Sequence, residues 1–127
     1  MTMDSNWWKY SLGLAMSGVI WAAFIYAPPA KALGETTRIL FFHVPCAWAG
    51  TLAVFVSAYA SIRFLQKGEP QYDHTAHAAA HIGFIFTVLA TVTGSVWAIE
   101  IWQSYWNWDP RQTSIVILML IYGAYFA

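Results

Sequence analysis

Charge is what this sequence has least of. Only 12 of its 127 residues are Asp, Glu, Lys or Arg, 9% of the chain, against roughly a quarter in an ordinary soluble domain. The six acids and six bases cancel and no basic cluster occurs, so nucleic acid is not an expected partner. Cysteine is almost missing too. Cys46 stands alone, which excludes an internal disulfide and argues against a CxxC redox centre or a Cys-rich zinc site. No GxGxxG or GxxxxGK loop is present, and with them goes any sign of a nucleotide site. The length allows one domain.

Apolar and aromatic side chains are abundant instead, at 59% and 18% of the chain. The few charges divide it into uncharged runs over 10–30, 39–62, 74–99 and 112–127. About 20 apolar residues cross a bilayer as a helix. The first three runs reach that length and the fourth has 16 residues. The expected fold class is therefore all-α: a polytopic membrane protein with three complete transmembrane helices and an incomplete fourth. Spans are expected at about 10–27, 45–64, 76–99 and 112–127.

Local signals set the boundaries. Trp7, Trp8 and Lys9 suit an interfacial anchor before the first span. A signal peptide is the competing reading, since Ala30-Lys31-Ala32 resembles a cleavage site, but the run is long for an h-region and Asp4 accompanies Lys9 in the n-region. Pro28-Pro29 ends the helix. Proline disfavours helical geometry in the residue before it, so Val44 reads as a boundary and Pro45 as a first helical position, leaving His43 at the mouth of the second helix. Arg63, Lys67, Gly68, Glu69 and Pro70 make a polar turn. Asp109 reads as the N-cap of a fourth helix beginning at Pro110.

With three crossings, the segment carrying Arg38 and His43 and the loop from Trp102 to Arg111 emerge on one side. The 63–73 turn and the N-terminus lie on the other. Lys and Arg are split three against three between the sides, so charge does not orient the chain.

Four of the eight tryptophans, Trp97, Trp102, Trp106 and Trp108, fall within twelve residues. An aromatic belt at the membrane surface is one explanation. The density exceeds what anchoring needs, and the cluster shares a side with His43. Indole faces pack on flat conjugated ligands, and Arg38 and Arg111 are suited to carboxylates on such a ligand's rim. A planar, apolar, doubly carboxylated molecule that also takes an imidazole ligand is a haem. His74, His77 and His81 share one helical face. They are read as a polar stripe at a span's end, because a metal site there would want more partners than Asp73. Cys46 is read as a small buried apolar residue.

The run Trp102 to Thr113, with Trp106, Trp108, Asp109 and Arg111 in register, resembles the tryptophan-rich WWD signature of haem-handling proteins of cytochrome c maturation. Arg38-Ile39-Leu40-Phe41-Phe42-His43-Val44-Pro45 and Thr93-Gly94-Ser95-Val96-Trp97 resemble the haem exporter protein C branch of that family in particular. Tyr105 stands where the family usually has a further tryptophan. The resemblance implies a bacterial inner-membrane protein, with the WWD loop periplasmic and the N-terminus cytoplasmic. It implies transiently bound haem b, held by His43 as axial ligand together with Trp97, Trp102, Tyr105, Trp106, Trp108, Asp109, Arg38 and Arg111. Implied partners are the lipid bilayer, a membrane-anchored haem chaperone and small membrane subunits of the maturation system. No enzymatic turnover is implied. The family also has about two further spans and a second periplasmic histidine, so the chain is expected to be a fragment, a truncated gene or one product of a split gene. The alternative is a membrane electron-transfer subunit holding haem b between helices, which would want paired histidines deep in facing spans.

Overall fold

The computed structural model describes residues 6–31 and 33–127. Asp4 and Ala32, on which the signal-peptide comparison partly turns, lie outside the described residues. Among those described, the chain is helical and forms no β-strand. In order there are α1 (Trp7–Trp21) continued by a π-helical turn (Ala22–Tyr26), a 3₁₀ turn (Glu35–Ile39), α2 (Leu40–Lys67), α3 (Pro70–Trp102) and α4 (Pro110–Phe126). The contacts divide the chain into two compact units that meet at Arg38 and Ile39.

The first unit is α1 and its cap. A helix end leaves carbonyls without intrahelical donors. Arg38 supplies donors here: its Nη1 reaches the Ala23 carbonyl at 2.6 Å and the Ala27 carbonyl at 3.1 Å. Its Nε pairs with Glu35. Gly34, at φ 56°, closes the intervening turn by donating its N–H to the Ala30 carbonyl at 2.8 Å. That positive φ suits glycine, which has no Cβ to clash.

The second unit is built on an α2–α3 hairpin. Gly68 ends α2 in the left-handed conformation, its N–H on the Phe64 carbonyl at 2.7 Å, and Pro70 opens α3. The two helices meet through small residues. A Cβ on Gly50 would lie 3.3 Å from Thr87 Oγ1, and one on Gly83 would lie 3.3 Å from Val54. Ser57 donates to the Ala76 carbonyl across the seam at 2.9 Å, and Ala60, Ala76, Ala80 and Ala90 are buried. Large apolar side chains point away. Leu65 is 83% exposed and Phe55 69%. Small residues inside and large apolar ones outside is the packing of helices in lipid, where close backbone approach replaces hydrophobic burial as the source of association. Both α2 and α3 are long and apolar enough to cross a membrane, with windows of mean hydropathy 1.9. At 15 and 17 residues, α1 and α4 are shorter.

One sequence expectation needs correction. The second helix begins at Leu40, not at Pro45, which lies inside it. The 3₁₀ turn leads directly into α2, and proline near the start of a long helix forfeits one bond, that to the Phe41 carbonyl. His43 therefore sits a turn inside the helix and not at its mouth. The third helix continues three residues past Ile99, so Trp102 belongs to its last turn, which Gln103 ends at φ 55°. The fourth helix starts as expected, with Asp109 Oδ1 accepting the Gln112 N–H at 2.9 Å.

Candidate functional site

A cleft of about 160 Å³ opens where the first turns of α2, the last turns of α3 and the start of α4 converge. Because α2 and α3 form a hairpin, Leu40 and Trp102 lie at the same end, as the parity argument requires. His43 comes from α2; Gly94, Trp97 and Trp102 from α3; Trp106 and Asp109 from the loop; Arg111 and Gln112 from α4.

The orientation of His43 follows from its neighbours. Nδ1 lies 2.9 Å from the Ala90 carbonyl and 3.3 Å from Thr93 Oγ1. A carbonyl can only accept. The Thr93 hydroxyl donates its proton to the Leu89 carbonyl at 2.7 Å, so it also offers His43 a lone pair. The hydrogen-bond network thus assigns a proton to Nδ1, so the lone pair available to a metal is the one on Nε2. This is the tautomer a metal-binding imidazole adopts when a backbone carbonyl fixes its other nitrogen. Gly94 makes room for the ring: a Cβ there would sit 2.8 Å from His43 Cε1 and 3.1 Å from Nδ1.

The indole nitrogens Nε1 of Trp97 and Trp106 are buried and have no hydrogen-bond partner. Each such orphaned donor costs about 1–3 kcal/mol, and both tryptophans line the cleft. Trp97 meets Trp102 edge to face at 5.5 Å, and the Arg111 guanidinium lies 5.1 Å from the Trp102 ring centre.

The loop is held in a costly shape. Gln103 and Trp108, neither a glycine, both take φ 55°, a conformation that costs a bulky residue about 1–2 kcal/mol. Asp109 compensates by capping α4 and pairing with Arg111 Nη2 at 2.7 Å. The Gln112 N–H first, and Arg111 second, hold its carboxyl below the usual carboxylate range. Gln112 returns the contact, its Oε1 accepting the Asn107 N–H at 2.7 Å. The Thr113 hydroxyl donates to the Trp108 carbonyl at 3.1 Å.

Six of the nine expected site residues, His43, Trp97, Trp102, Trp106, Asp109 and Arg111, line this one cleft. Tyr105 and Trp108 do not, and are 58% and 67% exposed. Arg38 belongs to the other unit, where it caps α1. Cys46 is a free, partly exposed thiol outside the lining. Thr93, Gly94 and Gln112 carry roles that residue types alone did not announce. Gly94 left one trace: a glycine inside a helix costs about 1 kcal/mol relative to alanine and so marks a close approach.

The family model described as "Heme exporter protein C" matches residues 2–127. Over 96 residues the chain is 45% identical to a heme exporter protein C of Bradyrhizobium diazoefficiens, an alignment covering 76% of this chain and 36% of the relative. A heme exporter protein C of Rhodobacter capsulatus is 36% identical over 115 residues, 88% of this chain and 46% of the relative. A ccmC-like mitochondrial protein of cytochrome c biosynthesis from Marchantia polymorpha is 36% identical over 116 residues, 91% of this chain and 48% of its own length. The chain spans between a third and a half of the curated relatives it matches.

Proposed function

This chain belongs to the haem exporter protein C family, and from that footing we propose that it binds haem at the His43 cleft and hands it on during cytochrome c maturation. The observation that carries the reading is the fixed tautomer of His43, with Nδ1–H on the Ala90 carbonyl and Nε2 free for iron. Trp97 and Trp106 donate their unpartnered N–H groups to rim carboxylates, Trp102 offers a ring face, and Arg111 adds positive charge beside it. Tyr105 and Trp108, exposed and outside the lining, cover the outer edge of the macrocycle or meet the acceptor.

Haem is cargo here, and the residues bind it without a covalent step, so the role is not enzymatic. A cleft of about 160 Å³ is smaller than the roughly 300–1,000 Å³ that encloses a drug-sized ligand. It grips one edge of a haem b and leaves the rest accessible, which suits transfer to a membrane-anchored chaperone beside small membrane subunits of the maturation machinery. An electron-transfer subunit is less well supported, because among the described residues His43 faces the α3 backbone and no second histidine. The proposed setting is the bacterial inner membrane, with three crossings before the fourth helix, the N-terminus cytoplasmic and the tryptophan loop periplasmic.

The test is haem retention by the detergent-extracted chain. Wild type retains haem and His43→Ala loses most of it, with added imidazole restoring part. Equal haem in the two would overturn the reading.

A further inference from the structure

At the opposite end of α3 from the tryptophan cleft, two imidazoles converge. His77 Nε2 and His81 Nε2 lie 3.0 Å apart, one helical turn from each other. Two nitrogen ligands held about 2.0–2.1 Å from a shared ion, at right to tetrahedral angles, are about 2.9–3.4 Å apart. At this distance one ring donates an N–H to the other, and the same separation is that of a chelate. We propose that His77 and His81 bind a divalent first-row transition-metal ion through both Nε2 atoms, at a site independent of the haem cleft.

Three features support the chelate beyond the distance. The spacing i, i+4 places both rings on one helical face, as in helical zinc sites that use a histidine pair. The rings are also held. Phe126 of α4 stacks on His81 with centroids 4.1 Å apart and planes 14° apart, and meets the His77 ring edge to face at 5.9 Å. The two imidazoles stand at 79° to each other, with centroids at 4.6 Å. Finally, two nitrogens this close need one proton shared between them or a cation in its place. Imidazole suits copper, nickel and zinc. No cluster of three or more His, Cys, Asp or Glu side chains suited to a metal occurs among the described residues, so two protein nitrogens leave open positions for water. Such a site exchanges its metal readily. Of the three histidines on this face, the structure pairs His77 with His81.

Copper(II) is the probe, since it heads the affinity order for such ligands. The full chain in lipid nanodiscs is titrated with copper(II) and followed by electron paramagnetic resonance. The expected result is one ion with superhyperfine splitting from two imidazole nitrogens. His77→Gln and His81→Gln each weaken its binding at least tenfold, and the double variant abolishes that signal. Both histidines are exposed and glutamine is a good helix former, so folding is not at stake. Phe126→Ala, which leaves both ligands but frees the rings, weakens binding less. His74→Gln leaves the signal intact. A two-nitrogen signal that survives in the double variant, or one that His74→Gln removes, would overturn the proposal, as would copper binding no greater in wild type than in the double variant.

Discussion

Gly94 and His43 fit together as slot and key: the ring of one occupies the space where a Cβ of the other would stand, 2.8 Å from Cε1. The contact aligns Nδ1 with the Ala90 carbonyl, one turn back along the same helix. A residue with no side chain thereby sets the direction of the one side chain proposed to bind iron.

Gly94→Ala is therefore expected to lower haem retention about as far as His43→Ala does. Its effect on folding should be smaller than its effect on haem, since the roughly 1 kcal/mol of helix propensity that alanine gains offsets the bond to the Ala90 carbonyl that the displaced ring gives up. Haem content and the thermal midpoint, measured on the same preparation, separate the two effects. Full haem retention in Gly94→Ala would remove the positioning role.

The orphaned indoles make a different demand. Trp97→Phe and Trp106→Phe keep an aromatic face but delete a donor. Each is expected to reduce haem affinity several-fold. The haem-free chain should change little in stability, because the lost packing and the relieved orphan, about 1–3 kcal/mol, oppose each other. Titration of haem into the two variants checks this, and unchanged affinity in both would show that the N–H groups serve no ligand.

Asp109 links the loop to pH. Its carboxyl is held below the ordinary range by the Gln112 N–H and Arg111, so the folded loop binds its proton less readily than an unfolded chain does. The contribution is complete above the ordinary carboxylate value, about pH 4. It disappears as the pH falls through the lower value of the folded state. Asp109→Ala should lower the thermal midpoint by removing the cap, and Asp109→Asn should lower it less, since an amide oxygen still accepts the Gln112 N–H. Thermal unfolding of the three chains between pH 2 and pH 7 tests the order. At the acid end wild type should fall to the level of Asp109→Asn, with Asp109→Ala still lowest. A wild-type advantage over Asp109→Asn that persists there would refute this role for the carboxylate.

Orientation can be read independently of haem. Reporter fusions after Thr36 and after Tyr105 are expected to signal export, and one after Gly68 to signal cytoplasm. A cytoplasmic signal from either of the first two would contradict the proposed topology.

Much of this arrangement was legible from residue order. The spacing of twelve charges announced helices in lipid. Asp109-Pro110 announced a capped helix start, and parity put His43 and the tryptophan loop at one end. The rest depends on contacts that sequence does not encode locally. Arg38 binds carbonyls 11 and 15 residues upstream, and backbone acceptors carry no residue signature. Pro45 misled because the pre-proline restriction is a tendency, overridden here by a 3₁₀ turn that starts α2 early. Tyr105 and Trp108 fell outside the cleft because left-handed Gln103 and Trp108 turn the loop sharply, and nothing in their residue types foretells that.

Among the described residues, His43 Nε2 is the one nitrogen proposed here as an axial ligand of haem iron. Absorption and electron paramagnetic resonance spectra of ferric haem bound to the chain in nanodiscs test it most directly. The iron is expected to be five-coordinate and high-spin, converted to low spin by added imidazole, and the His43→Ala chain to retain little haem unless imidazole is present. A low-spin spectrum from the unaided chain, unchanged by His43→Ala, would contradict it.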